Sequence, residues 1–543
     1  MKKITLIILA NFLVLASCTH RREEPGKTVF RYNEAAGITT LDPAFARDQT
    51  IIWAVNQLFS GLVQLNGRME IRPCIAKTWE VSGSGLVYTF HLRNDVFFHD
   101  NAVFPAGRGR RATAGDFVFS FQRIADPAVA SPGAWIFNNV AGENGGKAFE
   151  APDDSTVVIR LASPYPPFLS LLSMQYCSVV SKESVVFYGA DFRRNPVGTG
   201  PFMFKMWQEG VKLVFVKNNR YFEKEHGESL PFLDAVSISF VPDKQSSFLE
   251  FIKGNLDFLS GIDPTYKDEL LTRNGKLQAK YAARIRLITQ PYLNTEYLGF
   301  MVDNKDHLNN KFNISDRRIR QAVSLAFDRK KMITYLRNNI GTPGFQGITP
   351  RGLPSFDSAT VFYDYNPEKA RQLLASAGFP EGRGLPPLVL TSTPDYLDIC
   401  KYIQHQVAMI GINLEIEVSP PAAVKEMKAE AKLPFFRASW IADYPDAENY
   451  LSMFYSKNFC PRGPNYTHFS NSGFDALYEK SMLTVDDSLR FLYYRRMEKI
   501  MMEEAPVVVL YYDQVLRFVQ DNITGLGSNP MNLLDLKRVK KLP

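Results

Sequence analysis

Residues 387–418 contain the pattern that most restricts the fold of this chain. An apolar run at 387–390 predicts a strand, residues 396–409 have helical spacing, and apolar and polar residues alternate over 412–418 as in a second strand. Two strands joined by a helix over this length form a βαβ unit, in which the strands are parallel. The second half of the chain is therefore predicted to contain an α/β domain.

Two further helices are predicted before this unit. Asn366 is a favourable N-cap residue, Pro367 suits the first helical position and Gly378 suits the end of the same helix. Ser315 or Asp316 can cap the other helix, whose apolar residues recur at helical spacing. Helices and strands thus alternate through this half of the sequence.

The first half of the chain, from about residue 28 to 286, is rich in strand signals. Residues 79–81 and 88–92 flank a Ser-Gly loop and predict a hairpin, and residues 156–161 predict another strand. A helix is predicted to begin near Thr113. A chain of 543 residues exceeds what one core organises, so we expect two or three domains.

The N-terminus resembles a bacterial lipoprotein signal. Lys2-Lys3 precedes an apolar run of about a dozen residues, too short for a bilayer-spanning helix of roughly 20. The run ends in Leu15-Ala16-Ser17-Cys18, which resembles a lipobox, so Cys18 is predicted to be lipidated and to become the mature N-terminus. We expect a signal peptide over 1–17 and a tether over 18–27, with a plain signal peptide as the alternative.

Composition argues against several functional classes. The formal charge of +7 is small for this length, and no block of like charges suggests a nucleic-acid surface. The seven histidines lack metal-ligand spacing, and no hydrolase or phosphate-loop motif is present, so neither metal, cofactor nor enzyme activity is expected. Besides Cys18 there are four cysteines, which can be disulfide-bonded or free: Cys74, Cys177, Cys400 and Cys460.

Several segments, taken together and in order, resemble the family 5 extracellular solute-binding proteins, which include oligopeptide-, dipeptide-, nickel- and haem-binding members. The most specific is Pro73 to Val81 followed by Tyr88 to Arg93, similar to the family pattern P-x-L-A-x-x-W-x-V … Y-T-F-x-L-R. The other matching segments are 41–44, 58–63, 98–100, 113–120, 197–202, 317–323, 327–329, 366–370 and 373–378.

The resemblance implies an α/β fold of two lobes around a hinge, the type II periplasmic binding protein in its large three-subdomain form with mixed sheets. The implied boundaries are 28–289 for lobe I with an extra subdomain at about 71–190, 290–505 for lobe II, and 506–543 for a C-terminal segment that returns to lobe I. It implies a monomeric, extracytoplasmic binder that closes over short peptides and delivers them to the permease and ATPase subunits of an ABC importer.

The segment Arg437 to Asp446 is similar to the Arg-x-x-Trp-x-x-Asp-Tyr segment of the peptide-binding members. This implies that Asp443 binds the ligand α-ammonium, that Trp440 forms the wall of the first side-chain pocket and that Arg437 binds the ligand carboxylate. The structural alternatives are that Asp443 caps a helix starting near Asp446 or simply ends a strand in a loop, that Trp440 is a core residue and that Arg437 is solvated.

The resemblance also implies main-chain pairing with the peptide, through Ser439 and Ile441 on one side and the loop 47–50 on the other, where we select Gln49. Arg351 is a second candidate for the carboxylate. Residues 391–396 contain none of the His or Lys residues that some relatives place there, so the peptide length is left open. Nickel, haem or another small solute is the alternative cargo, and solute sensing is the alternative role.

Overall fold

The computed structural model describes residues 26–141, 148–263, 265–303 and 314–543, so Cys18 and the predicted signal peptide lie outside the described residues. Within these ranges no helix has the length and apolarity needed to cross a bilayer.

The first part of the chain is rich in strands. Its strands are β1 (Val29–Asn33), β2 (Val63–Leu65), β3 (Ile71–Pro73), β4 (Ala76–Val81), β5 (Val87–Leu92), β6 (Phe149–Asp153), β7 (Thr156–Arg160), β8 (Phe202–Gln208), β9 (Lys212–Lys217), β10 (Lys224–Glu225), β11 (Glu228–Ser229), β12 (Ala235–Ser239) and β13 (Phe258–Ser260). Its helices are α1 (Gln49–Leu58), α2 (Ala114–Ala125), α3 (Phe168–Leu172), α4 (Lys182–Tyr188), α5 (Lys244–Ile252) and α6 (Lys267–Leu270).

The second part begins with the long strand β14 (Ile285–Phe300). It continues with β15 (Thr342–Pro343), β16 (Leu388–Ser392), β17 (Leu414–Val418) and β18 (Phe435–Ile441). The helices are α7 (Arg317–Leu325), α8 (Arg329–Arg337), α9 (Pro367–Ser376), α10 (Leu397–Ala408), α11 (Pro421–Ala429), α12 (Glu448–Leu451), α13 (Ser472–Met482) and α14 (Asp487–Glu504). The chain ends with β19 (Val507–Gln520), β20 (Ile523–Thr524) and β21 (Lys540–Lys541).

The largest sheet has the order β17-β16-β18-β14-β19-β13-β1-β12-β9-β8, with β15 beside β19. Its two long strands, β14 and β19, are antiparallel neighbours. Their register shifts between Pro291 and Thr295. Before this shift, β14 pairs with the part of β19 that also pairs with β13. After it, β14 lies between β19 and β18. These two strands therefore connect a first lobe, built around β1 and β12, with a second lobe, built around β16 to β18.

Separate hydrophobic clusters form the cores of these parts. One cluster, which includes Phe30 and Val236, fills the first lobe, and another, which includes Leu390 and Val508, fills the second. A third cluster lies on the four-stranded sheet β4-β5-β7-β6 and includes Phe90. We call the part of the first lobe built on this sheet the extra subdomain.

Most local predictions from the sequence are confirmed. Strands β4 and β5 form the predicted hairpin, and Thr113 caps α2 through a capping box with Asp116. Asn366 caps α9, and Pro367 takes its first position. Strands β16 and β17 are parallel and joined by α10, as the βαβ pattern predicts.

Strand β19 begins where predicted, but its residues 507–512 pack in the second-lobe core. We therefore propose that the chain returns to the first lobe near Asp513.

The four cysteines of the described ranges are free, buried thiols. The structure therefore selects free thiols from the two possibilities that the sequence left open.

Glu498, on α14, is a buried carboxyl group whose titration affects stability. It accepts a hydrogen bond from the Thr349 backbone N–H at 2.8 Å, and burial raises its pKa to about 7. Between the ordinary glutamate pKa and about 7, the folded protein therefore keeps a proton on Glu498 that the unfolded chain has lost. The free energy of unfolding falls as the pH rises through this range.

We expect Glu498→Gln to remove this dependence, because the amide resembles the protonated acid and still offers an acceptor oxygen to Thr349. Relative to wild type, the variant should gain stability from pH 4 to pH 8, reaching about 3 kcal/mol at the upper end. Urea unfolding at a series of pH values measures the difference. The exposed Glu503→Gln on the same helix is the control. Parallel pH curves for wild type and Glu498→Gln would contradict the assignment.

Candidate functional site

Strand β18 carries the candidate residues Arg437 to Ile441 and has one open edge. Along its whole length it pairs with β14, from Phe435 opposite Phe300 to Ile441 opposite Asn294. On its other side, only Phe436 pairs, with Thr391 of β16. Beyond Phe436, this edge has no strand partner within the described residues, so its backbone groups are available to an extended ligand.

Asp443 and Trp440 are held together by one buried side chain, Asn449. The amide oxygen of Asn449 accepts hydrogen bonds from the Trp440 indole Nε1–H at 2.8 Å and from the Asp443 backbone N–H at 3.2 Å. Its Nδ2 lies 3.5 Å from Asp443 Oδ2. The carboxylate that accepts the Glu448 N–H at the start of α12 is Asp446, not Asp443. The side chain of Asp443 is therefore not a helix cap and is free to meet a ligand.

The environment of Asp443 combines exposure with partial dehydration. The residue is exposed to solvent, yet burial raises the pKa of its carboxyl group, and the Asn449 hydrogen bond opposes that rise. The two observations are compatible if water reaches the Asp443 carboxylate through an opening while protein atoms surround the rest of the group. In the described ranges no lysine or arginine lies within ion-pair distance of Asp443, so this carboxylate lacks a cationic partner.

Tyr176 of the first lobe lies near enough to Asp443 for the carboxylate charge to act on its hydroxyl group. Burial raises the pKa of its hydroxyl group, and the negative charges of Asp443 and Asp48 raise it further, while Arg47 lowers it. Asp443 and the segment 47–48 are therefore both close enough to Tyr176 to act on it electrostatically. The sequence predicted that the loop 47–50 would lie across the ligand from Ser439 and Ile441, which shortly precede Asp443.

Arg437, predicted to bind the ligand carboxylate with a solvated side chain as the alternative, is not solvated but buried and paired. Its side chain is 9% exposed and forms an ion pair with Glu296, which is 2% exposed and lies on β14. Its guanidinium also stacks over the Tyr396 ring. Burial lowers its pKa to about 9, while interactions with Tyr511 and Asp513 oppose that change, so the group is still cationic at neutral pH. Glu296 compensates this charge directly, because the two side chains are in contact.

Gln49 and Arg351, the other two predicted ligand contacts, lie on segments other than β18 and the loop that follows it. Gln49 is the first residue of α1, so the predicted loop 47–50 ends in a helix. Its Nε2 lies 3.4 Å from the Asn532 carbonyl oxygen, and its Oε1 lies 3.4 Å from Asn532 Nδ2. Burial raises the pKa of Tyr292, near the hinge, to about 12, and a Gln49 hydrogen bond opposes that rise. Arg351 lies exposed in a turn and makes no hydrogen bond or ion pair with another described residue.

Sequence reasoning missed three residues of this site: Asn449, Tyr176 and Glu296. Asn449 lies three residues after the segment Arg437 to Asp446. The only signal that could have marked it is that an asparagine amide can bond a side chain and a backbone group together. Tyr176 and Glu296 come from distant parts of the chain, and no local pattern marks them.

The sequence and the fold both match known proteins. The family model of the bacterial extracellular solute-binding proteins, family 5 Middle, matches residues 70–459. Heme-binding protein A of Haemophilus influenzae is 28% identical, with 97% of each chain covered. The dipeptide-binding protein of Escherichia coli is 25% identical, with 87% of each chain covered.

Solved structures agree with this match. The periplasmic binding protein DppA from Helicobacter pylori, in complex with the peptide STSA, has a TM-score of 0.77 at 25% identity and covers 95% of this chain and 98% of its own. HbpA2 from Haemophilus parasuis has a TM-score of 0.79 at 24% identity and covers 95% and 100%. With the matched family model spanning most of its length, this chain belongs to the bacterial extracellular solute-binding proteins of family 5, two-lobed type II binding proteins of ABC importers that are not enzymes.

Proposed function

We propose that the protein captures short peptides with a free N-terminus, whose α-ammonium is bound by Asp443. The observation that carries this proposal is the state of the Asp443 carboxylate, which is exposed, interacts electrostatically with Tyr176 of the first lobe and has no cationic partner in the described ranges. An enclosed ammonium needs an anionic partner, because an unpaired charge removed from water costs several kcal/mol. A carboxylate that forms charge-assisted hydrogen bonds meets this need.

The open edge of β18 is the proposed docking line for the peptide backbone. Ser439 and Ile441 lie on this edge, just before Asp443, so an extended peptide with its ammonium on Asp443 runs alongside them. Backbone pairing of this kind provides affinity without reading side chains. Trp440, half-buried and oriented by Asn449, forms the wall of the pocket for the first side chain.

The partner of the ligand carboxylate is proposed to be Arg351 rather than Arg437. Arg437 already has a carboxylate partner in Glu296, so a ligand carboxylate must compete with that ion pair. Arg351 is exposed, and its guanidinium is available because no described residue binds it. Gln49 is proposed to contact the peptide from the side of the first lobe.

The names of the relatives cover several cargoes. They include a dipeptide-binding protein, glutathione-binding proteins and a heme-binding protein, and one structural neighbour is in complex with Ni(L-His). A peptide, glutathione and histidine all carry an α-ammonium, for which Asp443 is a suitable partner. Haem has no ammonium, so the geometry at Asp443 favours amino-terminated cargo.

Native mass spectrometry of the purified protein without residues 1–18 tests the cargo class. A spread of adducts that dissociates into short peptides would support the proposal and give their length range. A single adduct with the mass of haem or of a metal complex would contradict it and favour the other cargoes. The same spectrum tests the proposed monomeric state through the mass of the intact protein.

We also propose that Cys18 anchors the protein to the bacterial membrane through a lipid. The proposal rests on the short apolar run and the lipobox-like segment that ends in Cys18. We expect Cys18→Ser to move the protein from the membrane fraction to the soluble fraction, because serine lacks the thiol that would carry the lipid. Immunoblots of the two fractions measure this change, and a variant that still sediments with membranes would contradict the anchor.

A further inference from the structure

Tyr444, the residue directly after Asp443, crosses from the second lobe into the extra subdomain. Its side chain is 3% exposed and belongs to the hydrophobic cluster of the extra subdomain, although its neighbours in sequence belong to the second lobe. Its ring centre lies 6.1 Å from that of Trp135. The residue next to the proposed ammonium ligand is therefore buried in the opposite lobe.

A tyrosine of the extra subdomain completes this contact. The Tyr165 hydroxyl lies 3.4 Å from the Tyr444 hydroxyl and donates to Glu448 Oε2 at 3.4 Å. The hydroxyl groups of Tyr444 and Tyr478 also donate to the Glu448 carboxylate. Of these three donors to Glu448, only Tyr165 belongs to the first lobe. We call this set the Tyr165–Glu448 contact.

The charge of Glu448 makes each of these donors important. Glu448 is 4% exposed, and within the described residues no lysine or arginine lies within ion-pair distance of it. The cation of the same region, Arg490, pairs with Asp446 and Asp487 instead. Burial raises the pKa of Glu448, whereas the tyrosine hydrogen bonds oppose that rise. A buried carboxylate without a cation depends on hydrogen-bond donors, and the first lobe supplies one of them.

A second approach between the same parts lies at Gly85, in the β4–β5 hairpin loop of the extra subdomain. A Cβ atom built on Gly85 would lie 3.8 Å from Cγ2 of Val485, which precedes α14 in the second lobe. Among the described residues, the extra subdomain thus approaches the second lobe at Gly85 as well as at the Tyr165–Glu448 contact, and the latter is polar and buried.

We propose that Tyr165 is a positioning residue for ligand capture, which holds the second lobe closed on the extra subdomain through Glu448 and Tyr444. Because Tyr444 directly follows Asp443 in the chain, this closure also sets the position of the Asp443 carboxylate relative to Tyr176 of the first lobe. The role follows from contacts between the lobes and is independent of which solute the protein binds.

Single-molecule energy transfer between dyes on the two lobes tests this role. Lys77→Cys, on the extra subdomain, and Leu483→Cys, on the second lobe, are exposed labelling positions, while the native thiols of the described ranges are buried. We expect Tyr165→Phe to lower the ratio of closed to open molecules roughly five-fold, the equivalent of about 1 kcal/mol for one lost hydrogen bond. The measurement is made in buffer and with a mixture of tripeptides that have free N-termini.

The control variant is Tyr455→Phe, which removes a hydrogen bond from a tyrosine to a carboxylate, Glu479, within the second lobe. It should leave the distance distribution unchanged, and thermal unfolding should show that both variants are folded. Equal distributions for wild type and Tyr165→Phe in both solutions would overturn the proposal. Failure of the tripeptides to close the wild-type protein would count against the peptide cargo alone, because the comparison in buffer still tests Tyr165.

Discussion

Replacing Asp443 by alanine is expected to weaken the binding of a free-N-terminus peptide by at least about 100-fold. The substitution removes the only anion that the proposed geometry offers to the ligand ammonium, and an unpaired ammonium in an enclosed site costs about 3 kcal/mol or more. The carboxylate is exposed and holds no helix end, so the fold should be unaffected. Calorimetry with a peptide identified by mass spectrometry measures the loss.

Two comparisons make the Asp443 result specific. Acetylating the peptide N-terminus removes the charge from the ligand side, so it should weaken binding to wild type by a similar factor and have little further effect on Asp443→Ala. Asp364→Ala removes another exposed carboxylate of the second lobe and should leave the affinity unchanged. An unchanged affinity in Asp443→Ala would place the ligand ammonium elsewhere.

Replacing Glu296 by glutamine is expected to destabilise the protein by about 3 kcal/mol, because it leaves the Arg437 guanidinium buried without its contacting carboxylate. Asp513 also acts electrostatically on Arg437, but its carboxylate pairs with Arg337, so it offsets only part of the loss. Urea unfolding measures the change as a lower midpoint at unchanged slope.

A compensating variant separates the cost of the unpaired buried charge from a steric effect of the glutamine side chain. In Glu296→Gln combined with Arg437→Met, the buried charge is absent, so most of the lost stability should return. Glu479→Gln is the control, because it breaks an exposed ion pair with Lys457 and should have no measurable effect. If Glu296→Gln is as stable as wild type, the guanidinium must be compensated by other groups, and Arg437 becomes available again as a ligand for the peptide carboxylate.

The local elements could be read from the sequence because their signals lie within a few residues. The Asn366 cap and Pro367 mark the start of α9, and the alternation before Val418 marks β17. These patterns reflect backbone hydrogen bonds and the periodicity of burial, which repeat over one turn or two residues. The same locality explains why Ser439, Trp440 and Asp443 could be selected as one group, since they follow one another on a strand and its loop.

The partners of these residues could not be predicted from the sequence. Arg437 and Glu296 are 141 positions apart and meet because β18 and β14 pair in one register. Tyr165 and Glu448 are 283 positions apart and meet because the two lobes touch. A charged residue has the same sequence signature whether it is solvated or paired, and only its surroundings in space decide between the two.

The sequence by itself determined the family, the βαβ unit, the helix caps and the segment that carries Asp443, because each rests on residues close together in the chain or on an ordered series of motifs. Only the tertiary structure decided that Arg437 is neutralised by Glu296, that Asp443 has no cationic partner in the described ranges and that Tyr444 is buried in the opposite lobe. The physical reason is that desolvation and charge pairing depend on which distant segments meet, and the register of β14 and the contact between the lobes set those meetings.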